Sequence, residues 1–278
     1  MPIDASPTAA RHRLSPEQVS RFRREGYLVY KHPVLPGPKF EKLRAFFDGM
    51  LDELATDTRP ESMDVPHFQY PQLFEWLFAD EVLDLVEPII GPDIALFSSH
   101  FICKPRGNGK RVPWHEDSHY WAGMLKPMEV VTVWLAIDRS GTENGCMRVI
   151  ARTHNTGKMG YSDYDDLKPG EAVFADEITA AQRDPSRAVA IELEPNECSL
   201  HDGRIIHGSE PNTSTLRRCG YTMRFMSSAV RYNHEEKGEF HNIYLARGRD
   251  LAGNHYSDPT KVYADKMRFR SKHGRNSH

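Results

Sequence analysis

The sequence predicts a mainly β protein with flanking helices, folded as an antiparallel jelly roll of two sheets. Two observations support this class. Up to Ile90, apolar residues recur at three- and four-residue steps, and from Ile94 onward the chain consists of short strand-like segments separated by turns. Helices followed by many strands are typical of helices packed on one sheet of a cupin-type barrel, a double-stranded β-helix.

The first helix is predicted to begin after Ser15 and to end at Gly26. Ser15 is a suitable N-cap, Pro16 suits the first helical position, and Gln18 can complete a capping box. Glycine readily ends a helix in the left-handed conformation. The apolar segment 27–30 that follows therefore predicts a strand.

Two further helices are predicted from apolar stripes at helical spacing. The first covers about residues 38–55, with the stripe Phe40, Leu43, Phe47, Met50 and Leu54. The second is expected as one helix over 71–90, with Leu73, Leu77, Leu83, Val86 and Ile90 facing inward. The polar segment 58–69 between them is interpreted as a loop that overhangs a site.

The strands begin with Ile94–Lys104, whose residues alternate between two faces. We expect Phe97, Ser99, Phe101 and Cys103 on one face, and Ser98, His100, Ile102 and Lys104 on the other. The partly polar second face indicates a ligand cavity. Residues 129–138 are apolar on both faces, which predicts a central strand. More strands are expected at 189–193, 198–202 and 219–228, and the polar segment 155–185 is a candidate lid.

Size and composition predict one domain and limit its partners. Residues 1–13 are expected to be a flexible leader, 14–260 a single domain, and 261–278 a basic tail. The net charge of −3 gives no indication of nucleic acid or an anionic membrane as a partner, and no apolar run is long enough to span a bilayer. The four cysteines have no paired spacing, which favours free thiols in the cytoplasm.

The residues with the clearest chemical potential are His115 and Asp117. Alternate residues of an extended segment share a face, so both side chains can point to one metal ion. A second histidine would complete the 2-His-1-carboxylate set that is typical of non-haem Fe(II) oxygenases. A His-x-Asp pair alone is common, so the surrounding segments decide the interpretation.

Several segments together resemble the phytanoyl-CoA dioxygenase family of Fe(II)/2-oxoglutarate-dependent oxygenases. The similarity extends over most of the chain, and the segments that carry it are 25–29, 115–121, 134–138, 143–150 and 207–218. The resemblance implies the jelly-roll fold, with Fe(II), 2-oxoglutarate and O₂ as cofactors. It also implies that His115, Asp117 and His207 are the iron ligands.

The resemblance further implies contacts to 2-oxoglutarate. Arg218, eleven residues after His207, matches the arginine that holds the distal carboxylate of the co-substrate. A guanidinium suits a carboxylate bidentately, although Arg217 could take the same role. Ser209 is expected as a second contact. Lys104 is expected near the co-substrate, or else simply extends from a strand end to solvent.

Candidate substrate contacts are Tyr120, Trp121 and Arg224. Arg224 shares strand parity with Arg218, so it can point inward, where it would meet a substrate acid or form an internal ion pair. The aromatic residues could line the pocket or only pack. His119 and His201 are interpreted as supporting groups. The chain departs from the family pattern at 152–154 and 196–197, which affects loop shape only.

The function implied is hydroxylation of an unactivated C–H bond of a small or mid-sized metabolite, such as one from natural-product biosynthesis, with release of succinate and CO₂. Desaturation and ring closure remain open as outcomes. The carboxylate at position 117 argues against a related halogenase. Two alternatives remain: a cupin-type Zn²⁺ or Mn²⁺ hydrolase or isomerase that uses the same triad without 2-oxoglutarate, and a catalytically silent binding protein.

Overall fold

The computed structural model describes residues 13–155, 162–237, 241–266 and 269. The helices are α1 (Pro16–Glu25), α2 (Gly37–Glu53), α3 (Phe74–Leu77), α4 (Asp80–Ile90), α5 (Asp117–Tyr120) and α6 (His234–Lys237). The strands are β1 (Tyr27–Tyr30), β2 (Met63–Asp64), β3 (Ile94–Lys104), β4 (Val112–His115), β5 (Leu125–Lys126), β6 (Val131–Ala136), β7 (Met147–Ile150), β8 (Tyr164–Asp166), β9 (Asp176–Ile178), β10 (Ala188–Ala190), β11 (Cys198–Asp202), β12 (His207–Ser209), β13 (Arg218–Ser227), β14 (Arg231–Tyr232) and β15 (Tyr244–Arg247).

Two antiparallel sheets form the body of the protein. The large sheet has the strand order β1-β11-β6-β13-β3-β15, with β2 also paired to β3. The small sheet has the order β10-β7-β12-β4. Two further two-stranded pairs, the hairpin β8–β9 and the long-range pair of β5 with β14, lie outside these sheets. This is the predicted antiparallel jelly-roll architecture with flanking helices.

The strand β6 shows how the layers are built. Val131, Val133 and Leu135 pack with the helices on the outer face of the large sheet, whereas Trp134 and Ala136 pack between the two sheets. Both faces of β6 are therefore buried. This explains why residues 129–138 are apolar on both faces.

The helix α1 and the strand β1 agree with the prediction. The Ser15 side chain accepts a hydrogen bond from the backbone N–H of Gln18, and the Gln18 side chain accepts one from the backbone N–H of Ser15. Gly26 ends the helix with φ of 82°. Short-range signals of this kind are sufficient to fix both ends of a helix.

The predicted continuous helix over 71–90 is wrong. A 3₁₀ turn at Pro71–Leu73 leads into α3, and the chain is then extended at Ala79 before α4 begins at Asp80. In the sequence, the apolar stripe skips from Leu77 to Leu83, an interval of more than one helical turn. The break between α3 and α4 lies in this interval.

The predicted alternation of β3 is wrong at Phe97. Ser98 pairs with Arg224, but Leu96 pairs with Phe225, so Phe97 is the extra residue of a β-bulge. Phe97 therefore lies on the same side of the sheet as Ser98 and His100, where it lines a cavity. A bulge moves side chains to the other face in this way.

The ends of the predicted domain are partly described. Residues 1–12 lie outside the described part of the chain, as do 156–161 of the candidate lid and most of the tail beyond 266. Tyr263 donates its backbone N–H to the carbonyl of Phe68, and Phe269 is buried in the core. Part of the described tail therefore contacts the rest of the chain, while residues 261, 262, 264 and 265 are exposed. Within the described residues, no helix has the length and apolar character needed to cross a bilayer.

Candidate metal centre

His115, Asp117 and His207 converge where β4 ends and β12 begins in the small sheet. His115 ends β4, Asp117 begins α5 directly after it, and His207 lies opposite His115 in the β12–β4 pairing. One potential ligand atom from each residue lies within 4.8 Å of the others. All three side chains are buried. The structure thus brings the predicted triad together in a geometry that can hold one metal ion.

The backbone orients both imidazoles for metal binding. Nδ1 of His115 lies 2.8 Å from the carbonyl oxygen of Pro113, and Nδ1 of His207 lies 3.0 Å from that of Ile205. A carbonyl can only accept, so each Nδ1 carries the proton and each Nε2 keeps a lone pair. This is the tautomer that a metal ligand requires. Burial also lowers the pKa of His207 well below its usual value, with the His115 ring contributing, which favours the neutral form.

Asp117 is held as a carboxylate. Its Oδ1 lies 3.7 Å from Nε2 of His115, and its Oδ2 lies 3.7 Å from both Nε2 of His201 and Nε of Arg224. Burial by itself would raise the pKa of Asp117. Arg224, together with the imidazoles of His115 and His201, instead lowers this pKa well below its usual value. The Asp117 carboxylate and the His115 and His207 imidazoles are a suitable ligand set for a divalent metal ion.

Arg218, and not Arg217, reaches the interior. The Arg218 guanidinium is buried; it donates to the carbonyl of Gly145 from Nε (3.1 Å) and Nη2 (2.7 Å), and to Oγ of Ser209 (3.2 Å). Burial lowers its pKa to about 10, so it remains a cation at neutral pH. Arg217 instead pairs with Asp138 and Asp48.

Gly145 is a residue whose role the sequence reasoning missed, although it lies in one of the family-like segments. Its φ is 74°, and a Cβ there would lie 2.5 Å from the carbonyl oxygen of Glu210. Only glycine fits this position, which aims its carbonyl at Arg218. The signal available was the Asn144-Gly145 pair, a typical turn sequence.

Lys104 is fully buried, and it does not line either of the two cavities that meet at the triad. Its Nζ donates to the carbonyls of Glu210 and Ser209 (3.4 Å to the latter) and so supports the end of β12. Burial, with Arg218 nearby, lowers its pKa to about 6. The expected contact of Lys104 with a co-substrate stays a prediction.

Two adjoining cavities meet at the triad. The inner cavity is lined by the triad together with Arg218, Ser209, His201, Trp134 and neighbouring residues. The outer cavity has a volume of about 420 Å³ and is lined mainly by Glu61, Ser62, Asp64, Phe97, Ser98, His100, Tyr120, Trp121, Met124, Val173 and His241. Asp117, Phe174 and Arg224 line both. The segment 58–69 thus contributes to the outer wall.

The predicted substrate residues Tyr120, Trp121 and Arg224 all line the outer cavity. The supporting residues also take defined positions. His201 is buried next to Asp117, and neither of its ring nitrogens has a hydrogen-bond partner among the described residues. His119 stacks on Tyr164, with ring centroids 3.6 Å apart.

The hairpin β8–β9 and the turn before β9, which lie in the candidate lid segment, contact the residues around the triad. A role of this segment as a lid stays a prediction. Asp176 accepts a hydrogen bond from the Tyr120 hydroxyl (2.8 Å) and lies 3.1 Å from Nε2 of His119. Phe174, whose role was missed, contacts the His115 ring with centroids 4.9 Å apart. These contacts join distant parts of the chain, so no local pattern could have indicated them.

Comparison with known proteins agrees with this architecture. A relative from Dictyostelium discoideum, described as a phytanoyl-CoA dioxygenase domain-containing protein 1 homolog, is 29% identical over 160 residues, which are 58% of this chain and 56% of that protein. The chain spans about half the length of the curated relatives it matches.

Two solved structures share the fold. The non-haem monooxygenase ThoJ has a TM-score of 0.69 at 21% identity and covers 88% of this chain and 90% of its own. EvdO2 from Micromonospora carbonacea, solved with 2-oxoglutarate, has a TM-score of 0.64 at 22% identity and covers 79% and 93%. The family model for phytanoyl-CoA dioxygenase (PhyH) matches residues 9–220, about three quarters of the sequence. The chain therefore belongs to the phytanoyl-CoA dioxygenase family.

Proposed function

We propose that this protein is an Fe(II)- and 2-oxoglutarate-dependent oxygenase. Its reaction would hydroxylate an unactivated C–H bond of a small or mid-sized metabolite and release succinate and CO₂. The observation that carries the proposal is the convergence of His115, Asp117 and His207 on the cavity that also contains Arg218 and Ser209. Family membership and a structural neighbour that contains 2-oxoglutarate support the same cofactors.

The residues of the site fit a ferrous ion. Two imidazole Nε2 atoms and one carboxylate oxygen would supply the 2-His-1-carboxylate ligand set that is typical of such an ion. The backbone carbonyls of Pro113 and Ile205 already fix the histidine tautomers. Asp117 would supply the negative charge that partly neutralises the metal.

The residues also fit a dicarboxylic acid. Arg218 and Ser209 would hold the distal carboxylate of 2-oxoglutarate while its other end approaches the triad. The carbonyl of Gly145 accepts two hydrogen bonds from the Arg218 guanidinium. The Arg218 side chain is therefore already ordered and would lose little conformational freedom when 2-oxoglutarate binds. When bound, Fe(II) and 2-oxoglutarate supply the oxidant from O₂, and the chain supplies position and shelter from water.

The outer cavity would hold the organic substrate. Its wall is partly aromatic, with Tyr120, Trp121 and Phe174 next to the triad. Its volume of about 420 Å³ lies in the range of small-molecule sites. Packed aromatic side chains would exclude bulk water from the reacting carbon.

The test is a screen for stimulated succinate release. The purified protein, Fe(II), 2-oxoglutarate and O₂ would be incubated with a panel of small and mid-sized metabolites. We expect at least one compound to raise succinate formation and to gain a hydroxyl group, and the Asp117→Ala variant to show neither effect. Turnover with Zn²⁺ or Mn²⁺ that needs no 2-oxoglutarate would instead favour the hydrolase or isomerase alternative.

A further inference from the structure

Arg224 is a buried guanidinium that lacks an adequate partner. The residue is 7% exposed, and its buried Nε–H has no hydrogen-bond partner among the described residues. Its nearest acidic atom is Oδ2 of Asp117, 3.7 Å from Nε, which is too long for a hydrogen bond. Buried charges are normally paired and hydrogen-bonded. Such a group at a cavity wall indicates a ligand that completes it.

We propose that Arg224 binds a carboxylate group of the organic substrate in the outer cavity. The inference rests on the proposed function, and it names the substrate class of that same site. Arg224 comes from β13, two residues beyond Thr222, and lines both cavities next to Asp117. A carboxylate bound there would lie beside the metal site.

The charge balance of the loaded site supports an anionic ligand. A ferrous ion, the Asp117 carboxylate, the 2-oxoglutarate dianion and Arg218 together carry no net charge. Arg224 adds a positive charge next to this neutral set, in a buried place where a carboxylate gains from binding.

The other acidic residues of the outer cavity form no described ion pair with Arg224. Arg59 pairs with both carboxylate oxygens of Glu61, and the backbone N–H of Lys110 donates to one of them. Asp64 lies beside the His100 imidazole, with Oδ1 3.6 Å from Nδ1. No described ion pair joins either of these residues to Arg224.

The shape around Arg224 suits an organic acid with an apolar body. The guanidinium carbon of Arg224 lies over the Trp121 ring, 5.4 Å from the ring centroid. A guanidinium fork can bind a planar carboxylate with two hydrogen bonds. Phe97, Met124 and Phe174 provide apolar wall for the rest of the molecule.

The test compares an acid with its uncharged amide. The protein would be loaded anaerobically with Fe(II) and 2-oxoglutarate, and titrated by calorimetry with 3-phenylpropanoate and with 3-phenylpropanamide. We expect the wild-type protein to bind the acid about tenfold or more tightly than the amide. Absence of binding by the acid, or equal affinity for both probes, would overturn the inference even if no variant folds.

Variants assign the preference to Arg224. Arg224→Met should lose the preference for the acid, whereas Arg231→Met, the same change at an exposed arginine, should keep it. An Arg224→Met protein that still prefers the acid would contradict the assignment. The assignment would also be contradicted if the Arg224→Met protein needed a higher 2-oxoglutarate concentration for loading, because Arg224 would then contact the co-substrate.

The same samples separate this inference from the proposed function. Loading produces a visible metal-to-2-oxoglutarate charge-transfer band if the proposed function is right. A normal band with no preference for the acid would refute only the role of Arg224. Absence of the band in the wild-type protein would refute the proposed function, and the inference with it.

Discussion

His115 and His207 lie directly opposite each other on β4 and β12, with ring centroids 4.1 Å apart. The pairing of two neighbouring strands thus brings together two histidines that are distant in the sequence. We expect His207→Ala to abolish stoichiometric Fe(II) binding and 2-oxoglutarate turnover, because two ligands cannot complete the facial set. Metal analysis after desalting checks this, with His32→Ala, at an exposed histidine, as the control. Full iron content in the His207→Ala protein would refute the ligand assignment.

The adjacent arginines 217 and 218 allow a matched comparison. Arg218→Met should raise the 2-oxoglutarate concentration needed for half-saturation by at least about tenfold, because a buried charge-assisted contact is lost. Arg217→Met should leave that concentration unchanged and lower the stability instead, since Arg217 pairs with Asp138 and Asp48. Titration of each variant with 2-oxoglutarate distinguishes the two. If the two variants change the affinity for 2-oxoglutarate equally, Arg218 has no special binding role and Arg217 is not purely structural.

Lys104 should make stability depend on pH. Its pKa is lowered to about 6 in the folded protein, whereas an unfolded lysine keeps its proton up to about pH 10.5. Between these values the unfolded state binds more protons, so the contribution of Lys104 to stability rises with pH, by up to about 1.4 kcal/mol per pH unit. Chemical denaturation at pH 6.5 and 8.5 measures the free energy of unfolding. From the lower to the higher pH, this free energy should increase more for the wild-type protein than for the Lys104→Met variant. Identical gains would show that the lysine stays charged in the fold.

Asp176 should hold the hairpin β8–β9 over the site. Asp176→Asn removes the charge that Tyr120 and His119 contact, so the hairpin should open more often. We expect faster hydrogen exchange at Tyr164–Asp166 and more succinate formed per substrate molecule oxidised, because water enters the site. Asp165→Asn, an exposed change on the same hairpin, serves as the control. If Asp176→Asn changes neither the hydrogen-exchange rate nor the ratio of succinate formed to substrate oxidised, the hairpin is held by packing alone.

Gly220 makes room for the aromatic ring beside Arg218. A Cβ at this position would lie 2.0 Å from the Trp134 ring, which in turn lies 5.4 Å from the Arg218 guanidinium. Gly220→Ala should therefore lower the free energy of unfolding by about 1–3 kcal/mol through overpacking. It should also weaken 2-oxoglutarate binding. Denaturation and titration of the same variant check both effects, and wild-type values for both would contradict the close fit.

Features with short-range causes could be predicted from the sequence. The capping residues around Ser15, the glycine stop at Gly26 and the apolar pattern of β6 each depend on neighbours along the chain. The family-like segments identified the triad residues, which the structure brings together. Their role as iron ligands stays a prediction.

Features with long-range causes could not be predicted. The bulge at Phe97 depends on the register between β3 and β13, and the break at Ala79 depends on how α3 and α4 pack separately on the large sheet. The position of Phe174 depends on a hairpin docking against α5. A periodic pattern contains no information on such contacts, because they are set by tertiary packing.

Anaerobic titration of the wild-type protein with Fe(II) and 2-oxoglutarate, followed by visible absorption, tests the iron assignment most directly. We predict a weak charge-transfer band that saturates at one Fe(II) and one 2-oxoglutarate per chain and is lost in Asp117→Ala. Absence of the band in a folded wild-type protein, or its persistence in Asp117→Ala, would contradict the claim that His115, Asp117 and His207 hold iron for 2-oxoglutarate chemistry.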